Sequence, residues 1–324
     1  MILVGGEALV DLVPEKSTVD DRSGGRTAGE LPLLRPLPGG GPYNVAITVG
    51  RLGVPVRFLS RLSTDTFGEA LLRRLRHSGV DVTMVQRGSE PTTLAVAGIS
   101  PDGSARYSFH VEGTADRLVA DPGELPAEVT TLSLGTLSLL LEPGASSYEA
   151  LLRRHAARGG LTVLDPNIRP VLVADPDAYR ARFASWLPDI GLLKLSVEDA
   201  RWLAGLDVDA PEGAVFEAVL DWLAKGPAAA VITRGADGLL AVTPDAEPIA
   251  VPAGRATVVD TIGAGDTVHG ALLYWLDQAG VGDPNGLREI GTDGWLAALR
   301  LAARAAAITV SRAGAEPPYR AELM

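Results

Sequence analysis

The chain of 324 residues contains no cysteine, so disulfide frameworks, thiolate zinc sites and cysteine nucleophiles are excluded. Basic residues are few beside acidic ones. With 29 Lys and Arg against 40 Asp and Glu, the net charge is −11, which disfavours a nucleic-acid surface and favours solubility. A phosphate ligand stays compatible with that balance, because a few local groups decide it. No segment is apolar for long enough to span a bilayer: the run near residues 131–141 is short and threaded with Ser and Thr. The opening "MILVGGEALVDL" is apolar, but Glu7 and Asp11 interrupt it and no basic segment precedes it. It reads as a first strand rather than a signal peptide, and the expected compartment is the cytoplasm. Two nucleotide signatures are missing as well. The chain has no G-x-x-x-x-G-K-[ST], which excludes a P-loop. No early strand–turn–helix unit carries the dinucleotide glycine spacing, which disfavours a nicotinamide oxidoreductase.

What is present is the composition of a globular protein, 46% hydrophobic and 21% charged, on a chain long enough to bury a large core. Short apolar runs at 1–4, 56–59, 131–134, 161–164, 191–195 and 229–233 read as buried strands. Amphipathic stretches at 67–78, 146–158 and 212–225 lie between several of them, and the alanine-rich 296–307 suits a further helix. This alternation predicts an α/β fold, a Rossmann-like, mostly parallel central sheet flanked by helices, with ligands beyond the carboxyl ends of the strands. Two segments break the pattern, about 12–38 and 92–114. The second alternates apolar and polar residues around a hairpin signal at Pro101, Asp102 and Gly103. Together they are expected to form a small antiparallel sheet, a lid on a single domain spanning 1–324.

The stretch "VVDTIGAGDTVHGALLYWL", residues 258–276, carries the chemistry. Val268, Ala271, Leu272, Trp275 and Leu276 recur with helical spacing, so a helix is expected from about Asp266, with Gly263, Ala264 and Gly265 as its N-terminal turn. Free N–H groups and the helix dipole favour an anion at such a turn, and small residues let a phosphate approach the backbone. Asp266 beside it is placed to take a proton from a hydroxyl that attacks the phosphate. Taken alone, the same turn also fits a plain structural role, with Asp266 complementing the dipole. A second cluster, "LPGGGPYNVAITVGRLG" at 37–53, offers a flexible backbone through Gly39, Gly40 and Gly41, and Asn44 offers both a donor and an acceptor. A helix follows through Val45, Val49 and Leu52; here the ordinary alternative is a loop with Asn44 as a cap.

Together the two glycine motifs resemble the signatures of the ribokinase-like (PfkB) carbohydrate kinases. "GEALVDL" at 6–12, "DPNIRP" at 165–170, "LKLSVEDARWLAG" at 193–205, "VITRGADGLLAV" at 231–242 and "AITVSRAGAEPP" at 307–318 extend the likeness over nearly the whole chain. The resemblance implies a ribokinase-like fold with a small β lid and ATP-dependent phosphorylation of a sugar hydroxyl. It makes Asp266 the catalytic base and Gly263, Ala264 and Gly265 the anion hole. Asp11, Gly40, Gly41 and Asn44 would hold the sugar. Thr233, Gly235 and Gly238 would line the nucleotide, with Asn167 and Lys194 nearby. Mg²⁺ would travel with ATP, bound chiefly by phosphates and water. In the family acidic side chains near the junction matching Ser196–Asp199 influence that metal; here Asp199 replaces the usual glutamate and Glu198 is adjacent, so either fits the role. Potassium, which some members bind through backbone carbonyls, would sit at Asp260, Ile262, Thr309, Arg312 and Gly314.

"GGGPYNVA", "YSFHVEGTAD" and "DPNIRP" are most similar to bacterial fructokinases, which implies fructose as acceptor and its 6-hydroxyl as the phosphorylated group. A keto-acid such as 2-keto-3-deoxygluconate would want a bidentate cation, and the lid neighbourhood Phe109, His110, Val111 has no arginine, although Arg169 and Arg106 remain. His110 is a candidate for sugar hydroxyls, or simply a solvated sheet residue; the other three histidines show no metal-ligand spacing. Ribose stays open, and Tyr107 and Phe109 leave a nucleoside open. From a different class, a silent sugar- or nucleotide-binding protein of the same fold is disfavoured by the retained Asp266. Expected partners are the sugar and ATP, with no nucleic acid and no membrane. The small sheet implies a homodimer, because pairing with a second subunit covers its edges.

Overall fold

The computed structural model describes residues 1–15, 31–99 and 105–323. Among them, thirteen strands run in chain order as β1 (Ile2–Gly5), β2 (Leu9–Pro14), β3 (Leu34–Gly39), β4 (Val56–Ser63), β5 (Val85–Gly88), β6 (Leu94–Ile99), β7 (Ala105–His110), β8 (Thr131–Gly135), β9 (Leu161–Asp165), β10 (Leu192–Ser196), β11 (Ala229–Thr233), β12 (Leu239–Thr243) and β13 (Ala246–Val251). The helices are α1 (Gly41–Arg51), α2 (Thr66–His77), α3 (Gly144–Ala157), α4 (Pro176–Trp186), α5 (Val197–Ala204), α6 (Glu212–Leu223), α7 (Ala264–Gln278), α8 (Pro284–Arg288), α9 (Thr292–Val310) and α10 (Arg320–Leu323). None of the described helices is long and apolar enough to cross a membrane.

Nine strands form one sheet in the order β13-β12-β11-β10-β9-β8-β1-β4-β5. All pairings in it are parallel except β11 with β12 and β12 with β13. Its strands are apolar on both faces because both faces are covered. Ile2, Val4, Phe58 and Val163 point into the layer that holds residues of α1, α2, α7 and α9, whereas Leu3, Leu59, Leu132 and Leu164 point into the layer of α3, α4, α5 and α6. In the first layer, Tyr43 of α1 meets Phe58 of β4 edge to face at 6.1 Å, and its hydroxyl donates to the Leu71 carbonyl of α2 at 3.1 Å. That contact fixes α1 against the sheet, and with it the glycine loop at its start.

The remaining four strands form a separate sheet in the order β3-β2-β6-β7. The expected antiparallel pairing holds for β2 with β3 and for β6 with β7, but β2 and β6 run parallel, so the sheet is mixed. The reason is topological. β1, β4 and β5 are parallel neighbours, so the chain leaves β1 and β5 at the same edge, and the strands that follow, β2 and β6, depart in the same direction. The hairpin signal at Pro101, Asp102 and Gly103 lies outside the described residues; the two strands it would join are paired as such a turn requires.

Two helix starts differ from the sequence reading. Helix α7 begins at Ala264 rather than near Asp266, because Gly263 at φ 76° is its N-cap and all three following residues are already helical. A side chain there would be strained twice, since its Cβ would also come within 2.6 Å of Ala315 Cβ. Helix α1 begins at Gly41, so Asn44 lies within it and is not a cap.

Candidate active site

The first turn of α7 separates two cavities. The smaller, about 370 Å³, is walled by Asp11, Gly40, Gly41, Asn44, Asn167, Arg169, Lys194, Gly263, Gly265 and Asp266, with Glu7, Leu9, Tyr107, Phe109, Thr136 and Leu137. The larger, about 570 Å³, has mostly small and apolar walls: Thr233, Gly235 and Gly238 on one side, Ala264, Gly265 and Val268 of α7 on another, and Ala303, Ala307 and Val310 of α9 on a third. Thr261 and Gly265 belong to both. A group handed from one cavity to the other must pass that turn, where the helix start favours negative charge, although the Ala264 amide already donates to the Thr261 carbonyl at 3.3 Å.

Asp266 stands on the side of the smaller cavity. Asn44 Nδ2 donates to its Oδ2 at 2.8 Å, which leaves the other carboxylate oxygen for a ligand. Burial holds its carboxyl above the usual carboxylate range and Asp165 adds to that, while Asn44, Lys194 and Arg169 oppose. A base strengthened in this way accepts a hydroxyl proton more readily. Asp11 faces it across the cavity. Burial and the Asp266 charge push Asp11 up to about 6, against the pull of Arg169. Its carboxylate lies over Gly39 of β3, diagonal to it in the register, where a Cβ would come within 2.1 Å of Asp11 Oδ2 and displace the carboxylate. Arg169 is held in place by donating Nη1 to Asn167 Oδ1 at 2.7 Å and to the Ile168 carbonyl at 3.1 Å.

Several candidates sit elsewhere than expected. His110 is exposed and outside both cavities; alternation along β7 turns Tyr107 and Phe109 inward instead. Asn167 and Lys194 line the smaller cavity, not the larger one with Thr233, Gly235 and Gly238. Asp199 has both oxygens engaged: Oδ1 accepts from the Ile168 amide at 2.7 Å, and Oδ2 accepts from the amide and hydroxyl of Ser196, closing a capping box on α5. That work is structural, and exposed Glu198 beside it reaches neither cavity. Among the described residues no group of three or more His, Asp or Glu is placed to hold a metal ion. The carbonyl-bearing segments named for potassium do come together. Asp260 accepts from the amides of Ile262 at 3.0 Å and Gly314 at 2.8 Å, the Thr309 hydroxyl meets that of Thr267 at 2.9 Å, and the Thr309 carbonyl accepts from the Arg312 amide at 3.0 Å.

Glu7, Leu9, Thr136 and Leu137 line the cavity without having been singled out in the sequence. Glu7 had a signal, as a charge inside an apolar first strand. Its Oε1 accepts from the Gly41 amide and its Oε2 from the Ser138 amide, both at 3.2 Å. These are long bonds, and burial outweighs them, with Asp116 acting in the same sense, so the carboxyl is raised from 4.5 to about 8. The folded state therefore favours protonated Glu7. Stability tied to that proton is full below about 4.5 and is lost as pH rises through about 8. Urea unfolding midpoints are expected to fall between pH 6 and pH 9, and to fall less in Glu7→Gln; equal slopes in parent and variant would assign the effect elsewhere.

The amino-acid sequence matches the pfkB family carbohydrate kinase profile over residues 1–322. It is 38% identical over 275 residues to the fructokinase of Rhizobium leguminosarum bv. trifolii, covering 84% of this chain and 78% of that protein. The fold is similar to that of the fructokinase from Xylella fastidiosa with bound ATP, at a TM-score of 0.85 and 27% identity, over 99% of this chain and 96% of that one. It is also similar to a fructokinase double mutant of Vibrio cholerae O395 bound to fructose, ADP and potassium ion, at a TM-score of 0.79 and 25% identity, over 97% and 93% of the two chains. With that profile matched over residues 1–322, the chain belongs to the pfkB family of carbohydrate kinases.

Proposed function

We propose that this ATP-dependent sugar kinase phosphorylates fructose at its 6-hydroxyl. The observation that carries the reading is the shared wall: one helix start, with a carboxylate on one side, divides a polar cavity from an apolar one. The polar cavity suits a sugar, whose hydroxyls find Asp11, Asn44 and the Gly40–Gly41 backbone. The apolar cavity suits a nucleotide base and ribose beside Gly235 and Gly238, with phosphates directed at Gly263, Ala264 and Gly265. Asp266 takes the proton of the attacking hydroxyl, and the turn stabilises charge on the phosphoryl group in flight. The fructose and ATP named for the related fructokinases support this assignment.

Mg²⁺ fits this site as an ion bound by phosphates and water, since the described residues offer no acidic cage and Mg²⁺ keeps most of its waters. Potassium fits the loops at 260–262 and 309–314, which Asp260 clasps together. The mixed four-stranded sheet, which extends slightly beyond the segments 12–38 and 92–114 to take in Leu9–Pro14 and Gly39, acts as a lid of one kinase domain spanning 1–324, closing over the sugar to exclude water as a competing acceptor. Leu31 and Leu33, 87% and 77% exposed beside β3, supply an apolar surface for pairing with the lid of a second copy. Use of ATP supports a cytoplasmic setting. A riboside with a small flat base is the second reading, favoured by Tyr107 and Phe109 stacking at 6.1 Å inside the sugar cavity.

ADP release from MgATP, with and without potassium, is expected to be strong with fructose and weak with ribose, adenosine and 2-keto-3-deoxygluconate. Turnover confined to the keto-acid would reassign Arg169 as its partner, and turnover confined to the nucleoside would favour the aromatic pair. Asp266→Asn is expected to lower kcat at least about 1,000-fold while sugar and ATP binding stay within about 3-fold; joint loss of binding would make the residue structural. Light scattering at micromolar concentration is expected to give twice the mass of 33.7 kDa. The mass of one chain would exclude the lid-paired dimer.

A further inference from the structure

Beneath the first turn of α7 lie polar side chains that the base and the anion hole leave unused. Leu132, Leu164 and Leu193 pack into the layer of α3 to α6. By alternation, Ser133, Asp165 and Lys194, on β8, β9 and β10, point to the opposite face of the sheet, toward α7. His269 comes down onto them from α7, three residues after Asp266 and so on the same side of the helix. All four side chains are almost fully buried.

Their contacts run in series. Ser133 Oγ lies 3.0 Å from His269 Nε2, and His269 Nδ1 lies 3.5 Å from Asp165 Oδ2. The same carboxylate oxygen accepts from Lys194 Nζ at 2.7 Å. Lys194 in turn reaches the wall of the sugar cavity, where its Nζ is 3.3 Å from the point at which Gly265 would carry a Cβ. Neither His269 Nδ1 nor Asp165 Oδ1 has a hydrogen-bond partner, so the 3.5 Å between Nδ1 and Oδ2 is a close approach rather than a formed bond. The imidazole is therefore aimed at the carboxylate, and the carboxylate at the ammonium. A void of about 10 Å³ between Asp266, Asp165, His269 and Ser133 has room for one water among them. A fold in need of stability alone does as well or better with apolar side chains of this volume, because desolvating such charges is costly.

We propose that Ser133, His269 and Asp165 form a buried relay of positioning residues that holds the Lys194 ammonium at the Gly265 turn, where it meets the charge of the transferring phosphoryl group. The relay rests on the phosphoryl-transfer reading of the site. In this relay Nδ1–H of His269 is directed at the Asp165 carboxylate 3.5 Å away, which leaves Nε2 to accept from the Ser133 hydroxyl. Because His269 and Asp266 share one turn of α7, the base and the cation are set by the same element.

The test compares the parent with His269→Leu, His269→Asn and Ser133→Ala in kcat, both KM values and melting temperature. His269→Leu is expected to lower kcat about 10-fold or more, with the KM for sugar changed by less than about 3-fold. His269→Asn, whose amide hydrogen stands in for Nδ1–H, is expected to recover most of that kcat at a similar melting temperature. Ser133→Ala is expected to lose only a few-fold, on the order of 3-fold. Parent-like kcat in His269→Leu, or equal kcat losses in both His269 variants that follow their melting temperatures, would overturn the relay. Should His269→Leu fail to fold, His269→Ala takes its place, and parent-like kcat in that variant would overturn the relay equally. Nitrogen NMR gives a second readout: the imidazole resonance lost in His269→Asn is expected to be the Nδ1–H tautomer, and an Nε2–H tautomer contradicts the relay. A parent inactive on every sugar would count against the phosphoryl-transfer reading, and the tautomer would still decide the relay.

Discussion

The hydrogen bond from Asn44 Nδ2 to Asp266 Oδ2 joins side chains 222 positions apart and ties the first turn of α1 to the first turn of α7. Each turn needs glycine for its own reason, Gly40 at φ 108° to cap α1 and Gly263 at φ 76° to cap α7. Neither turn alone makes a site. Joined, they set a backbone loop against a carboxylate and a set of helix amides, and the sheet between the two helix layers keeps that distance fixed. The packing of Tyr43 against Phe58, and the 312–316 segment pressed against Gly263, serve to hold the two turns in register.

A second constraint is electrostatic. Glu7, Asp11, Asp165 and Asp266 crowd one end of the fold, and Lys194 and Arg169 are the cations placed among them. Burial raises Glu7, Asp11 and Asp266, with a neighbouring carboxylate adding to each (Asp116, Asp266 and Asp165 in turn), whereas Asp165, next to Lys194 and His269, is held low. Similar groups are thereby given different proton affinities, one carboxylate held charged beside Lys194 and three raised, as the proposed division of labour requires. The two cations offset this repulsion and leave the site able to receive phosphate despite the acidic chain around it.

Much of this was legible in the sequence, and the reasons differ by residue. The buried strands could be read because parallel strands covered on both faces are short unbroken apolar runs. The glycine turns, Asp11, Asn44, Asp266 and the Thr233–Gly238 loop could be read because each pairs a backbone need with a chemical group in one short stretch. Strand direction in the small sheet was hidden, since it depends on the edge at which β1 and β5 release the chain. The choice between His110 and its neighbours turned on one step of strand register. Asp199 carried a metal expectation from its place after β10, and the same spacing from Ser196 also makes the capping box seen on α5, which the sequence reading did not foresee. Ser133 and His269 gave no signal at all, because their partners lie on other elements and meet only in the folded layer.

The most direct measurement of the central claim is a crystal structure of the chain with fructose and a non-hydrolysable ATP analogue. The sugar is expected in the cavity of Asp11 and Asn44, with its acceptor hydroxyl about 3 Å from Asp266 and the terminal phosphate on the Gly263–Gly265 amides. Phosphates lodged on the Gly39–Gly41 loop, or a sugar bound among Thr233, Gly238 and α9, would contradict the assignment of the two cavities and of the turn between them.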